Sequence, residues 1–314
     1  MNQTIHRSLS DCFTLSNGVK IPCVGFGTFK TPNGEVCVQS VKDAIRCGYR
    51  HIDTASAYGN EASVGKAIRE CGVPREELFI TSKLFNPDQG YESTLEAFDI
   101  TMKLLGLEYL DLYLIHWPIP QACHANDWKE LNADTWRAFE KLYTDGRIRA
   151  IGLSNFIEHH IQNILDNCEI PPMVDQLEIH PGYDQAGTVA FCQAHNILPE
   201  SWGPLCQGKA FGHPVLEAMA EKYGHSVSQI CVRWCLQQGV LPLPKSVHAN
   251  RIEQNAQVFD FQIDGEDMKA IANIEGIGRC GRHPDSIEDM LNLFGPTPWQ
   301  TWRQDRQALL KTIS

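Results

Sequence analysis

The chain has 314 residues, 43% of them apolar, enough to bury one large core. Its net charge is -11, which excludes nucleic acid or an acidic membrane face as an expected partner, since both demand a basic surface. No run of roughly 18 apolar residues occurs, and the polar start Met1 to Asp11 lacks the apolar stretch of a signal peptide, so a soluble cytoplasmic protein is expected.

Residues 13 to 22 alternate around Asn17-Gly18 and predict a hairpin, because both central residues tolerate positive φ. Cys23 to Phe29 reads as a first buried strand ending at Gly27-Thr28. Thr31-Pro32 predicts a helix cap with proline at the first helical position, followed by an apolar stripe of Val41, Ala44 and Ile45 up to Gly48. Strand and helix then alternate: strand His51 to Asp53 with helix Glu61 to Cys71, then strand Leu78 to Ser82. A helix opens at Ser93, with Glu96 completing a capping box, and runs to Gly106. Strand Leu110 to Ile115 precedes helix Thr135 to Tyr143, strand Ala150 to Leu153 precedes helix Ile157 to Asn167, and strand Met173 to Leu177 precedes helix Gln185 to His195. Leu198 to Ser201 is a strand, with helical sequence over Pro214 to Tyr223 and Ser226 to Gln238, and Val240 to Leu243 is the last strand.

Eight short apolar strands, each followed by helical sequence, predict an α/β fold, a parallel (β/α)8 TIM barrel with an N-terminal β-hairpin and a C-terminal extension. An open doubly wound sheet is the alternative, but Gly25-Phe26-Gly27 lacks the third glycine of a dinucleotide fingerprint. The twelve cysteines are scattered with no Cys-x-x-Cys pair, and Cys231 with Cys235 reads as buried thiols of a reducing compartment.

A barrel carries its chemistry where the strands stop, and here they stop at Gly27-Thr28, Asp53, Lys83, His116, Ser154-Asn155, Gln176, Trp202 and Lys245. Asp53 and Lys83 on adjacent strands are placed to pair, with Tyr58 reaching over from the next loop. An ammonium beside the phenol is expected to lower its pKa toward working pH, making Tyr58 a proton donor, while His116 orients a carbonyl oxygen.

These stretches resemble the aldo-keto reductase family: Leu15 to Thr28, Gly48 to Glu61, Ile115 to Pro118, Ile151 to Phe156 and Leu243 to Val247 all look like its motifs. The likeness spans about residues 13 to 284 of a single domain covering 1 to 314, leaving 285 to 314 as an extension. It implies NADPH-dependent reduction of aldehydes and ketones by direct hydride transfer, with Tyr58 as general acid, Lys83 and Asp53 as its supporting pair, and His116 as the orienting group. It also implies that Thr28, Ser154, Asn155 and Gln176 serve the cofactor, the last three holding the nicotinamide carboxamide. Trp202 stands where most members stack a tyrosine on the nicotinamide. Trp202-Gly203-Pro204-Leu205 points to the bacterial diketogluconate and methylglyoxal reductase branch. Lys245, Ser246 and Arg251 match the 2'-phosphate site, with Val247 also at the cofactor and Gln254 and Asn255 near adenine. Two cations and a hydroxyl at one strand end agree with that physically in so acidic a protein. Gln254 departs from the glutamate of many members.

Phe29, Trp117 and the loop from Ile119 to Asp134, with Trp128, are expected to form the upper pocket for a small carbonyl substrate. The protein is expected to be a monomer or weak dimer that needs no metal. Two other readings use overlapping residues: a metal-dependent barrel hydrolase built on His51, Asp53, His116 and His180, opposed by the charge of Lys83, and a non-catalytic NADP-binding regulator. In the tail, Trp299 and Trp302 are left three places to go: the pocket edge, a partner subunit, or the outside of the barrel.

Overall fold

The computed structural model describes residues 6–119, 127–286 and 299–313. An antiparallel hairpin of β1 (Cys12–Thr14) and β2 (Lys20–Pro22) precedes the main sheet. That sheet contains β3 (Gly25–Gly27), β4 (His51–Asp53), β5 (Phe79–Leu84), β6 (Leu110–Ile115), β7 (Ile148–Ser154), β8 (Val174–Glu178), β9 (Leu198–Trp202) and β10 (Leu241–Leu243). Each strand pairs in parallel with the next in sequence. The two outermost strands meet as well, since the Gly27 N–H donates to Pro244 O at 3.1 Å, just past β10. A Cβ on Gly25 would lie 2.4 Å from Leu243 Cδ2, so the seam closes only because β3 carries no side chain there. The expected eight-stranded barrel is therefore present.

Helices alternate with the strands: α1 (Glu35–Arg46), α2 (Glu61–Glu70), α3 (Tyr91–Leu105), α4 (Trp128–Thr144), α5 (Glu158–Leu165) and α6 (Ala186–Ala194). They are followed by α7 (Pro214–Tyr223), α8 (Val227–Gln237), α9 (Ala249–Ala256), α10 (Gly265–Ala272) and α11 (Trp299–Ile313). Every residue of β5 and β6 is buried, one face against the barrel interior and the other against helices, so even their polar members Thr81, Ser82, Lys83 and Asp111 are enclosed. Among the side chains that fill the space beneath the helices, Phe98 and Phe139 are fully buried, each worth about 1.5–3 kcal/mol of transfer free energy.

Several expected boundaries move for identifiable reasons. In the hairpin turn Gly18 has a positive φ of 87°, but Asn17 does not. Asn17 instead donates its side-chain amide to Arg149 O (2.9 Å), pinning the hairpin to the start of β7, at the end of the barrel away from the rim. α1 starts behind Gly34 (φ 101°) rather than at Pro32, because Thr31 N–H turns back to Thr28 O. α3 starts behind Gly90 (φ 105°), so Ser93 and Glu96 form no capping box and the Ser93 hydroxyl donates to Gln89 O. α4 starts at Trp128, which makes part of the expected loop Ile119 to Asp134 helical, and Thr135 lies inside that helix with its hydroxyl donating to Leu131 O.

The described cysteines are all free, and burial pushes the Cys235 thiol up to about 12. Cys123 and residues 287–298 lie outside the described residues. Among the described residues no helix is long and apolar enough to cross a membrane.

Candidate active site

Asp53 ends β4 opposite Thr81 of β5, so Lys83, two residues further along, emerges on the same face one step higher at the rim. Its Nζ lies 2.7 Å from both Asp53 carboxylate oxygens, 2.9 Å from Thr54 O and 3.4 Å from the Tyr58 hydroxyl. The Lys83 side chain is wholly buried. Burial disfavours its charge, but Asp53 and Tyr58 outweigh that and hold its pKa above the ordinary lysine value. For Tyr58 the balance corrects the sequence expectation. Burial is the largest influence and raises its pKa above 10.0, with Asp53 adding to it and Lys83 only partly opposing. Tyr58 therefore stays protonated at neutral pH, the form a general acid needs.

His116 follows β6 and presents its ring edge-on to Tyr58, with centroids 5.7 Å apart. Burial, and then Lys83, press its pKa well below 6.5, so the imidazole is neutral. Phe29 is half exposed and packs 5.1 Å from the Tyr58 ring, at the mouth of the site. Trp117 is buried beside His116 in sequence, its carbonyl accepting from Gln89. Among the described residues the ring neighbours of Trp128 are His159 and His160 of α5, so its expected place in the pocket gains no contact with Tyr58 or His116.

Ser154, Asn155 and Gln176 meet on the next side of the rim. Asn155 adopts a left-handed backbone (φ 63°), a conformation asparagine tolerates, and its amide donates to His116 O (2.9 Å) and accepts from the Trp202 indole (2.8 Å). Ser154 donates to Gln176 O (2.9 Å). Gln176 Nε2 is shared between Asp53 Oδ2 (2.9 Å) and Glu200 Oε2 (3.0 Å). What these three side chains have left is mainly acceptor capacity, which suits an amide NH2 group. The Thr28 hydroxyl donates to Asp53 O (2.9 Å). Trp202 is half-buried against Gly281, where a Cβ would sit 2.3 Å from its ring.

The profile of the aldo/keto reductase family matches residues 23–275. The chain belongs to the aldo/keto reductase family. It is 50% identical over 280 residues to a glyoxal reductase of Bacillus subtilis, covering 89% of this chain and 98% of that protein. It is also 41% identical over 273 residues to Salmonella typhi DkgA, whose name refers to methylglyoxal reduction, covering 86% and 96%. Among solved structures, a Bombyx mori aldo-keto reductase in complex with NADP superposes with a TM-score of 0.79 at 35% identity, covering 87% of this chain and 95% of that one. Like the rest of the family, this reductase is an NADP-dependent oxidoreductase acting on carbonyl groups.

The reductase's own residues fit that cofactor. Lys245, just past β10, and the exposed Arg251 of α9 make no ion pair with any described residue, which leaves two cations free in a chain of net charge -11. Burial, and then the like charge of Lys30, hold the Lys245 pKa below the ordinary lysine value, so a dianionic phosphate is the kind of group this spot lacks. Ser246 accepts the His248 N–H (3.1 Å), and α9 begins at Ala249. Val247 is half-buried, Gln254 exposed and Asn255 buried. Gly203 (φ 65°) turns the chain from β9 into the loop through Pro204 and Leu205.

The metal-hydrolase alternative gains no support. Asp53 is committed to Lys83, while His51 bonds Thr81 Oγ1 (2.9 Å) with its pKa pushed by burial to about 3. His180 lies between Glu178 and Pro181 O. Among the described residues, the groups whose side chains converge closely enough for a metal are His159, His160 and Asp285, and Glu178, His180 and Cys280. Neither contains Asp53 or His116. In the first, His159 Nε2 hydrogen-bonds Asp285 Oδ1 at 3.1 Å, while His160 Nδ1 accepts the Ile157 N–H and its Nε2 lies 3.0 Å from the same Asp285 oxygen without a hydrogen bond.

Three contributors were missed from sequence. Lys30, two residues past Thr28, was not singled out from the sequence; its charge bears on Lys245. Glu200 lay inside a strand read as apolar. Phe85 sits just beyond β5, its ring 6.5 Å from His116.

Proposed function

We propose that the reductase converts small aldehydes, 2-oxoaldehydes foremost, to alcohols, with Tyr58 as the general acid. The observation that carries this reading is the Tyr58 hydroxyl 3.4 Å from a buried Lys83 ammonium that is itself bound to both oxygens of Asp53. The 50% identity to the Bacillus subtilis glyoxal reductase supports the substrate class.

When bound, NADPH supplies the hydride that goes to the carbonyl carbon. Lys245, Ser246 and Arg251 hold its 2'-phosphate; Ser154, Asn155 and Gln176 offer acceptors to its carboxamide; Trp202, clamped by Asn155 and Gly281, provides the stacking face. His116, being neutral, presents a ring N–H to the carbonyl oxygen without adding charge. Tyr58 gives that oxygen its proton, and Lys83 meets the phenolate charge left behind. Solvent then restores the phenol. Phe29 shields the mouth. A reducing compartment such as the cytoplasm suits a protein whose described cysteines are all free.

The test is NADPH oxidation over glyoxal, methylglyoxal, sugars and aromatic aldehydes, with Tyr58→Phe alongside. Proton transfer contributes roughly a hundred- to ten-thousand-fold, so the variant should lose that much turnover and keep NADPH binding, read as tryptophan quenching. Turnover surviving in Tyr58→Phe would remove Tyr58 from the role.

A further inference from the structure

Helix α11 lies beyond residue 275, where the family profile ends, and packs against α3. Two of its side chains reach toward the rim. The Trp302 indole donates to Asp88 Oδ2 (3.0 Å) and sets its ring edge-on to Phe85, with centroids 4.7 Å apart. Phe85 lies two residues past Lys83, its ring centroid 6.5 Å from that of His116. Arg306 stacks its guanidinium over Trp302 at 5.6 Å and donates to Glu61 Oε2 (2.6 Å) and Thr101 Oγ1 (2.9 Å).

Glu61 connects this contact to the catalytic strand. Its other oxygen accepts from the hydroxyl of Ser82, the residue before Lys83, at 2.8 Å. Glu61 also opens α2 directly after Asn60, whose side chain ties down Thr28 O, Thr31 O and the Thr54 hydroxyl around the Tyr58 loop. Glu61 is 1% exposed, Asp88 2% and Arg306 5%. A carboxylate so buried demands a cation, and among the described residues Arg306 is the one bonded to Glu61. The extension therefore holds the rim on both sides of Lys83: at Ser82 through Glu61, and at Phe85 through Trp302.

We propose that Trp302 and Arg306 are positioning residues of the carbonyl site, setting through Phe85 and Glu61 the wall beside His116 and hence the size of carbonyl accepted. The size effect rests on the carbonyl-reductase reading above. The placement of His116 does not.

The experiment uses the full chain as wild type, Trp302→Ala, Trp302→Phe and Arg306→Met. Three things are measured: kcat and KM for methylglyoxal and for a bulky aromatic aldehyde, NADPH affinity by fluorescence, and the His116 ring resonance by NMR without substrate. Trp302→Ala should change the ratio of kcat/KM between the two aldehydes by about tenfold or more, chiefly through KM, with NADPH affinity held within about twofold. Arg306→Met should move the ratio the same way, and Trp302→Phe, which keeps an aromatic edge on Phe85, should recover most of it. The His116 resonance should shift in Trp302→Ala and Arg306→Met. A purely structural helix predicts lower melting temperatures with an unchanged aldehyde ratio and an unmoved His116 resonance, and that result would overturn the proposal. If the wild type reduced neither aldehyde, the functional reading would fall, and the His116 resonance would still decide whether α11 positions the rim.

Discussion

Lys83 Nζ touches both carboxylate oxygens of Asp53 at 2.7 Å, in a spot where the lysine side chain has no exposure at all. Removing the charge of one partner strands the other in a poorly solvated site. Asp53→Asn should cost about 3–5 kcal/mol of stability, read from denaturant melts. It should also release Gln176 Nε2 from one of its two acceptors.

His116 is pressed well below 6.5 by burial and by Lys83. A base whose folded pKa is pressed well below 6.5 is uncharged at neutral pH and does not titrate near 6.5. The profile of kcat/KM should therefore show no limb near 6.5 that vanishes in His116→Gln. Finding such a limb would mean that the imidazolium, not the imidazole, takes part.

Glu200 gives a signed stability prediction. Burial raises its pKa from 4.5 to about 8, so between those values the folded chain holds a proton that the unfolded chain has lost. Stability from this group must fall as pH rises through that window, by at most about 1.4 kcal/mol per pH unit, and level off above it. In Glu200→Gln that component should disappear, so the stability difference between variant and wild type should grow from pH 5 toward pH 8. A difference independent of pH would show that Glu200 is ionised in the fold.

Lys245 and Arg251 should separate the two nicotinamide cofactors. Losing one charge-assisted contact costs about 1.5–3 kcal/mol, or roughly ten- to a hundredfold in affinity. Lys245→Met and Arg251→Met should weaken NADPH by that factor and leave NADH nearly unchanged in fluorescence titrations. Equal weakening of both cofactors would place the phosphate elsewhere.

Much of this site was legible because barrel chemistry concentrates at strand ends. Asp53, Lys83, His116, Ser154 and Gln176 all stop or follow short apolar runs, and a reader who finds the strands finds them too. Net electrostatics were not legible. That Lys83 opposes the rise of the Tyr58 pKa is visible in their spacing, but that burial outweighs it depends on packing from several strands. Helix starts went wrong where a glycine with positive φ, Gly34 or Gly90, overrode a proline or a capping pattern. Arg306 and Glu61 could not be paired from sequence, because nothing local signals a contact across 245 positions.

That separation bears on how the molecule is made. Glu61 opens α2 and Arg306 lies on α11, 245 positions later, so during synthesis from the N-terminus the carboxylate is made long before its cation. The strands can pair earlier, but Glu61 stays without its counterion, and keeps a reason to remain hydrated, until Arg306 has left the ribosome. Locking of the rim beside Tyr58 is thus a late event in the birth of the chain, set by order of synthesis as well as by the final contacts.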